Sequence, residues 1–311
     1  MAITAQAIVD RIQQKLGPGW KDPSVDTFLA GNRDSEVKGI VTTFAPSLEV
    51  LHKAVAAGKN MIISRESPFW ARGTNPGGTG PGGTAPGPPG FASAARSGGG
   101  GAGAPSRSGG GGRGQMSMDK DPIYGLKRDY IAANNLVVYR LFDNWNARQP
   151  DGQLQGLAKA LGWEKRYKPS GGQPWATNNG FFTIPPATLK ETAQSIKQTL
   201  KMKGMRIAGD PETRVTKAAL SHGMYFLGDI RKLLAEPGVD LLIVGEPMWE
   251  NEVAAYFFDV VASGQKKGMI VLGQQVSEEP GCGEMAAWLK SFIREVPIEW
   301  IPAGEPCWMP Y

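Results

Sequence analysis

Two stretches of this chain pass through the same order of strands and helices, and that diverged internal repeat limits its possible folds more than any single motif. In the first half, GIVTTF, a helix over about 47–57 and NMIISRE give strand, helix, strand, with Glu66 just past the second strand. In the second half, KAALSHG, a helix over 226–234 and DLLIVGE give the same order, with Glu246 in the matching place. The echo continues. A helix near 121–133 leads into LVVYRL, and a helix near 251–262 leads into MIVLG. Strands alternating with helices of this length call for right-handed crossovers, so the expected fold class is α/β, with largely parallel sheets flanked by helices. Two similar lobes would bring their strand ends to one cleft, where sites in α/β proteins usually form.

The expected division is 1–72 with 115–165 for the first lobe, 73–114 for an insertion, and 166–311 for a bridging helix and the second lobe. Residues 73–114 are Gly, Pro, Ser, Ala and Thr with hardly an apolar side chain. Such a segment buries too little surface to offset its ordering entropy and reads as disordered. The bridging helix, 187–200, follows TIPPAT, with Thr188 as cap and Glu191 completing a capping box. After it, MRIAGDPETRVTKAAL reads as strand, Asp-Pro turn, strand, which suggests a hairpin.

Polar groups gather in four segments at the ends of apolar strands: IISRESPFW, RLFDNWNARQPDG, LIVGEPMWENE and VLGQQVSEEPG. The chain has only two histidines, His52 and His222, and neither lies in these segments. A site built there rests on carboxylates, amides and one arginine, Arg65. His52 sits on a helix face and reads as a surface or packing residue. His222 follows the strand KAAL, where it can face the cleft as a general base or serve as a structural hydrogen bonder. In FDNWN, strand-like alternation puts Phe142, Asn144 and Asn146 on one side and Asp143 and Trp145 on the other. Trp70, Trp145 and Trp249 each fall close to a site segment and offer flat surfaces to a ligand.

The net charge of +5 does not indicate a basic face, because Arg72, Arg96, Arg107 and Arg113 fall in a stretch without acidic residues and the rest is close to neutral. Neither nucleic acid nor membrane is expected as a partner, and no apolar run approaches the ~20 residues that span a bilayer. The opening MAITAQAIVDRIQQKLG spaces Ile8, Ile12 and Leu16 as a helix and lacks a signal-peptide core, which points to the cytoplasm. A mature exported chain with an added Met1 would read the same. Cys282 and Cys307 lack zinc-ligand spacing and read as buried free thiols.

At the four polar segments the sequence resembles the NIF-three-like family, also known as the GTP cyclohydrolase 1 type 2 or dinuclear-metal-centre hexameric family. The likeness runs through VDTFLAG, the strand ending IIS, AGDPETRVTKAAL, the turn at Gly245 and Glu246, G-x4-E at Gly273 to Glu278, and IPAGEPCW. The resemblance implies a toroidal hexamer and two metal ions held between the halves by histidines and carboxylates. Carried onto this chain, the family's ligand positions fall on Arg65 and Glu66, on Phe142 to Asn146, and on Gln274 and Glu278. Every position where the family would offer an imidazole holds something else.

Amide oxygens are weak donors for transition metals, and a guanidinium that cannot lose its proton repels a dication. The resemblance therefore implies a pocket at Arg65, Glu66, Phe142, Asn144, Asn146, Gln274 and Glu278, with Asp143, His222, Glu246, Trp249 and Glu250 as neighbours, and no resident metal. Arg65 would take over the metal's electrostatic task by pairing with Glu66, Glu246 or Glu278. The expected role is a non-catalytic binding or assembly component, self-associating, with an unidentified small-molecule ligand. The alternative is a hydrolase acting on a nucleotide or heterocycle, with magnesium, manganese or calcium held by Glu66, Asp143, Glu246, Glu278 and Glu279.

Overall fold

The computed structural model describes residues 2–69, 121–168, 178–248, 250–305 and 307–310. The insertion expected at 73–114 lies outside the described residues, as do Trp70 and Trp249.

The first half of the chain runs α1 (Ala5–Leu16), β1 (Thr27–Ala30), β2 (Ile40–Thr43), α2 (Leu48–Ala56), β3 (Met61–Ser64), α3 (Pro122–Ala133), β4 (Val137–Arg140), α4 (Asp143–Ala147) and α5 (Gly152–Ala160). Then come β5 (Tyr167–Lys168), β6 (Asn179–Thr188), α6 (Leu189–Thr199), β7 (Arg206–Ala208), β8 (Arg214–Ser221), β9 (Met224–Tyr225) and α7 (Leu227–Ala235). The chain continues through β10 (Leu241–Val244), β11 (Glu246–Pro247), α8 (Glu250–Ala262), β12 (Gly268–Val271), α9 (Gln274–Lys290) and β13 (Ile298–Trp300).

The repeat is visible in the sheets. One has the order β1-β4-β3-β2-β13, the other β5-β6-β8-β10-β12-β7. In each, three strands joined by helices lie side by side and parallel: β2, β3 and β4 in the first, β8, β10 and β12 in the second. All four residues of β3 (MIIS) and of β10 (LLIV) are buried, as central parallel strands covered on both faces must be. The largely parallel character expected of both sheets holds for the first. In the second it is confined to the central three strands, since β5, β6 and β7 pair antiparallel.

Each sheet carries helices on both faces. In the first, α1 and α9 cover one face through Ile8, Ile12, Met285 and Leu289, while α2 and α3 cover the other through Val50, Leu51, Tyr124 and Ile131. In the second, α5 and α6 pack with Leu154, Leu157, Leu189 and Ile196, opposite Ile230, Leu233, Val253 and Phe257 of α7 and α8. Each such fully buried side chain stabilises the fold by roughly 1.5–3 kcal/mol relative to exposure. The helices α5 and α9 thus change sides. Helix α5 leaves the first sheet to cover the second, and α9 leaves the second to cover the first.

The two cross at glycines. A Cβ on Gly156 would stand 2.5 Å from the Gly281 Cα and 2.6 Å from the Pro280 carbonyl oxygen, so only glycine permits this approach. The capping box on α6 is present, with the Thr188 side chain accepting from the Glu191 backbone and Glu191 reaching back to Thr188.

Several expectations need correction. The hairpin does not form: β7 pairs antiparallel with β12 at the sheet's edge, while β8 lies between β6 and β10. The Asp-Pro turn is real, but the chain after it crosses the sheet to reach the centre, where Ala218, Ala219 and Leu220 are buried. At the other end, β13, which lies in the stretch expected to form the second lobe, pairs parallel with β2 and so completes the first sheet. Cys282 is buried as expected, but Cys307 is exposed. His52 is exposed on α2 with its ring edge against Tyr130. Among the described residues no helix is long and apolar enough to cross a membrane.

Candidate functional site: a buried charge network between the lobes

Four chain segments meet where α5 and α9 cross. Arg65 follows the last residue of β3, and His222 follows the last residue of β8, so each stands at the carboxyl end of a central strand. Asp151 caps the start of α5, its Oδ1 accepting from the backbone of Gln153 and Leu154. Glu278 projects from the second turn of α9.

Their side chains connect. An Arg65 guanidinium nitrogen lies 2.5 Å from Glu278 Oε1. The same carboxylate oxygen is 3.0 Å from His222 Nδ1, and His222 Nε2 lies 3.3 Å from Asp151 Oδ2. Side-chain exposure is 2% for Arg65, 1% for His222 and 0% for both Glu278 and Asp151, so the pairs are out of water. The other Arg65 terminal nitrogen donates to Asn146 Oδ1 at 2.9 Å, and the guanidinium lies 3.8 Å from the Phe142 ring centroid. Gln274 Nε2 donates to Glu66 Oε1 at 3.3 Å and to Glu278 Oε2 at 3.4 Å, tying the half-buried Glu66 to the rim.

The electrostatics follow from burial and pairing. Burial alone would raise the Glu278 carboxyl, but the Arg65 charge and the bonds from His222 and Arg65 outweigh it and hold Glu278 down at about 2. Burial would likewise lower His222, yet Asp151 and then Glu278 carry it above its ordinary value. Desolvation opposes the Arg65 charge, and Glu278, Glu66 and Asp151 together raise it. Arg65 and His222 thus face the two fully buried carboxyl groups of Glu278 and Asp151.

The structure separates the other candidates. Residues 143–147 form a helical turn rather than a strand, so side chains four apart share a side. Phe142 and Asn146 therefore both reach Arg65. Asn144 faces the other way, accepting from Lys21 N and donating to Asp26, whose carboxylate also accepts from the backbone of Phe142, Asp143 and Asn144. Asp143 accepts from Val25 N. Trp145 is buried against Trp288 in the first core and offers no face to a ligand. Glu246 is exposed beside β9, and Glu250 is exposed and paired with Arg206. Glu279 points away, accepting from Trp300 Nε1. Of the five carboxylates considered for a divalent ion, only Glu66 and Glu278 adjoin, through Gln274.

Sequence reading missed Asp151. It lies inside RLFDNWNARQPDG, and Asp before a helical run is a cap signal, but a cap leaves one oxygen free, and that oxygen is the one that meets His222.

The residues present do not fit a dinuclear metal centre. Both His222 nitrogens are engaged by carboxylates, and Glu278 and Asn146 give oxygens to Arg65. A dication brought beside that guanidinium meets roughly 4 kcal/mol of repulsion per pair of unit charges at an effective dielectric of about 20. Among the described residues no group of three or more His, Cys, Asp or Glu is placed to hold a metal ion.

Fold and site together define a two-lobed α/β protein made from a repeated strand-helix unit, with its polar centre at the strand ends between the lobes. Solved structures share this architecture. SA1388 of Staphylococcus aureus is 15% identical, with a TM-score of 0.67 and 97% of each chain covered. The protein ybgI is 19% identical, with a TM-score of 0.66 over 98% of this chain and 100% of that one. A Bacillus cereus protein related to NIF3 is 13% identical, with a TM-score of 0.64 over 97% of both. The chain has the NIF3-family fold, which the resemblance of its motifs implied. No protein-family model matches the chain, and no curated protein does.

Proposed function

We propose that this chain is a NIF3-fold protein in which a guanidinium has replaced the dinuclear metal centre, and that it acts without catalysis as a binding or assembly component. The observation that carries this reading is Arg65 at 2.5 Å from Glu278, enclosed with it and supported by Asn146 and Phe142. A fixed positive charge relieves carboxylate repulsion without an ion, and the four connected side chains are engaged with one another.

Assembly has support of its own. Helices α3 and α8 occupy matching places in the two halves, and both present apolar side chains to the outside: Ile123 and Leu126 on α3, Phe258 and Val261 on α8. Phe258 is 73% exposed. A surface aromatic on each of several copies suits burial between copies, in keeping with the ring-shaped hexamer that the resemblance implies.

Reconstitution tests the reading. In the triple variant Arg65→His, Asn146→Asp, Gln274→His, calorimetric titration with manganese or zinc is expected to show binding that the parent protein lacks. Tight binding of either ion by the parent protein would overturn the proposal and favour a metal-dependent hydrolase.

A further inference from the structure

A cavity lies apart from the charge network, and none of the residues that line it belongs to that network. Its volume is about 710 Å³, within the range of a few hundred to about 1,000 Å³ common to small-ligand sites. Its walls are α5, the end of α6, α9, β13 and the segment after β13.

The helix walls are made of small residues. Ala160 from α5 and Ala287 from α9 put short side chains on the cavity, while Gly156 lies where α5 meets the Gly281 backbone and Gly283 lies under the Trp300 ring. Trp300 forms a further wall and is held at two points. Its Nε1 donates to Glu279 Oε1 at 2.9 Å, and its ring packs on Gly283 so closely that a Cβ there would stand 2.9 Å from it. The indole is nevertheless 40% exposed. A fixed aromatic surface beside a slot edged by Ala160 and Ala287 is suited to a flat ring.

The charges give the polarity of the occupant. Glu284 is paired with Lys159 at 3.2 Å. Glu279 accepts from Trp300 Nε1 and, at 3.1 Å, from Ala303 N, while Glu305 accepts from Lys203 N. The acids lining the cavity thus already have donors. Lys201 differs: it follows the last turn of α6 with φ 53°, is exposed, and forms no salt bridge among the described residues. Its ammonium is therefore open to an anionic group of an occupant, in the weak pairing typical of exposed charges.

We propose that this cavity binds a flat aromatic molecule bearing one anionic group, with the ring against Trp300 and the small residues of α5 and α9 and the anion at Lys201. The proposal is independent of how the Arg65 network is read.

Titration of the full chain with naphthalene-1-sulfonate, beside the cation 1-naphthylmethylammonium, tests it. Saturable binding of one sulfonate per chain is expected, tighter than that of the cation. Lys201→Asn, which keeps a residue tolerant of positive φ, should weaken the sulfonate by up to about fivefold, the range for an exposed ion pair, and should not weaken the cation. Ala287→Trp fills the slot from an exposed position and should abolish binding of both; Ala160→Trp serves if that variant does not fold. No saturable binding to the parent protein, binding that survives the filling variant, or a cation bound as tightly as the sulfonate would each overturn the proposal.

Discussion

Arg65→Ala removes the cation on which the network turns. Taking one partner from a buried pair costs about 3–5 kcal/mol, because the other charge is left without compensation. The structure gives a second route to the same magnitude. Glu278 is held at about 2 instead of 4.5, which corresponds to about 3 kcal/mol favouring its ionised form in the folded protein. His222 retains part of that effect in the variant, whereas loss of the Phe142 stacking and the Asn146 bond adds to the cost. We expect a net loss of about 3 kcal/mol at pH 6, read by urea denaturation with an unchanged m-value. A double-mutant cycle with Glu278→Ala isolates the pair, and the double variant should be more stable than the sum of the single losses implies by about 2 kcal/mol. A single-variant loss under about 1 kcal/mol, or additive losses, would refute the reasoning, since either means the two charges are solvated separately.

Folded Glu278 lies below its unfolded value, so its contribution is complete above about pH 4.5 and is lost as pH falls towards about 2; folded His222 lies above 6.5, so its contribution is complete below 6.5 and is lost as pH rises through the raised value. The contribution of these two groups to stability should therefore be greatest between about pH 4.5 and 6.5, and His222→Gln should flatten the alkaline side of that contribution. Gly156→Ala should cost about 1–3 kcal/mol by chemical denaturation, because its methyl group meets the backbone of Gly281 and forces α5 and α9 apart. Deleting 73–114, whose sequence has hardly an apolar side chain to contribute to a core, should leave the thermal midpoint and the oligomer size by light scattering unchanged.

The repeat was legible because its strands are short apolar blocks between recognisable helices, and the buried patterns of β3 and β10 follow directly from MIIS and LLIV. Local chemistry was legible for the same reason: Thr188 and Glu191 are three apart and need no tertiary context to cap α6. FDNWN was not, because alternating polar and apolar residues over five positions fit a strand and a helical turn equally, and only the turn brings Phe142 and Asn146 to one side. The partners of Arg65 could be narrowed to three glutamates, yet the choice of Glu278 depends on α9 crossing to the first sheet. The His222–Asp151 contact spans 71 positions and exists because α5 crosses the other way. Neither crossing leaves a local mark in the sequence beyond the glycines where the helices meet.

The central claim is that a guanidinium stands where the resemblance places metal ions. Elemental analysis of the protein as purified and dialysed addresses it most directly, by counting zinc, iron, nickel and manganese per chain. The account predicts far less than one ion per chain for each element, with no gain after incubation with the metal and renewed dialysis. One or more tightly held ions per chain would contradict it, because Arg65, Glu278 and His222 cannot then be bonded to one another as the structure has them.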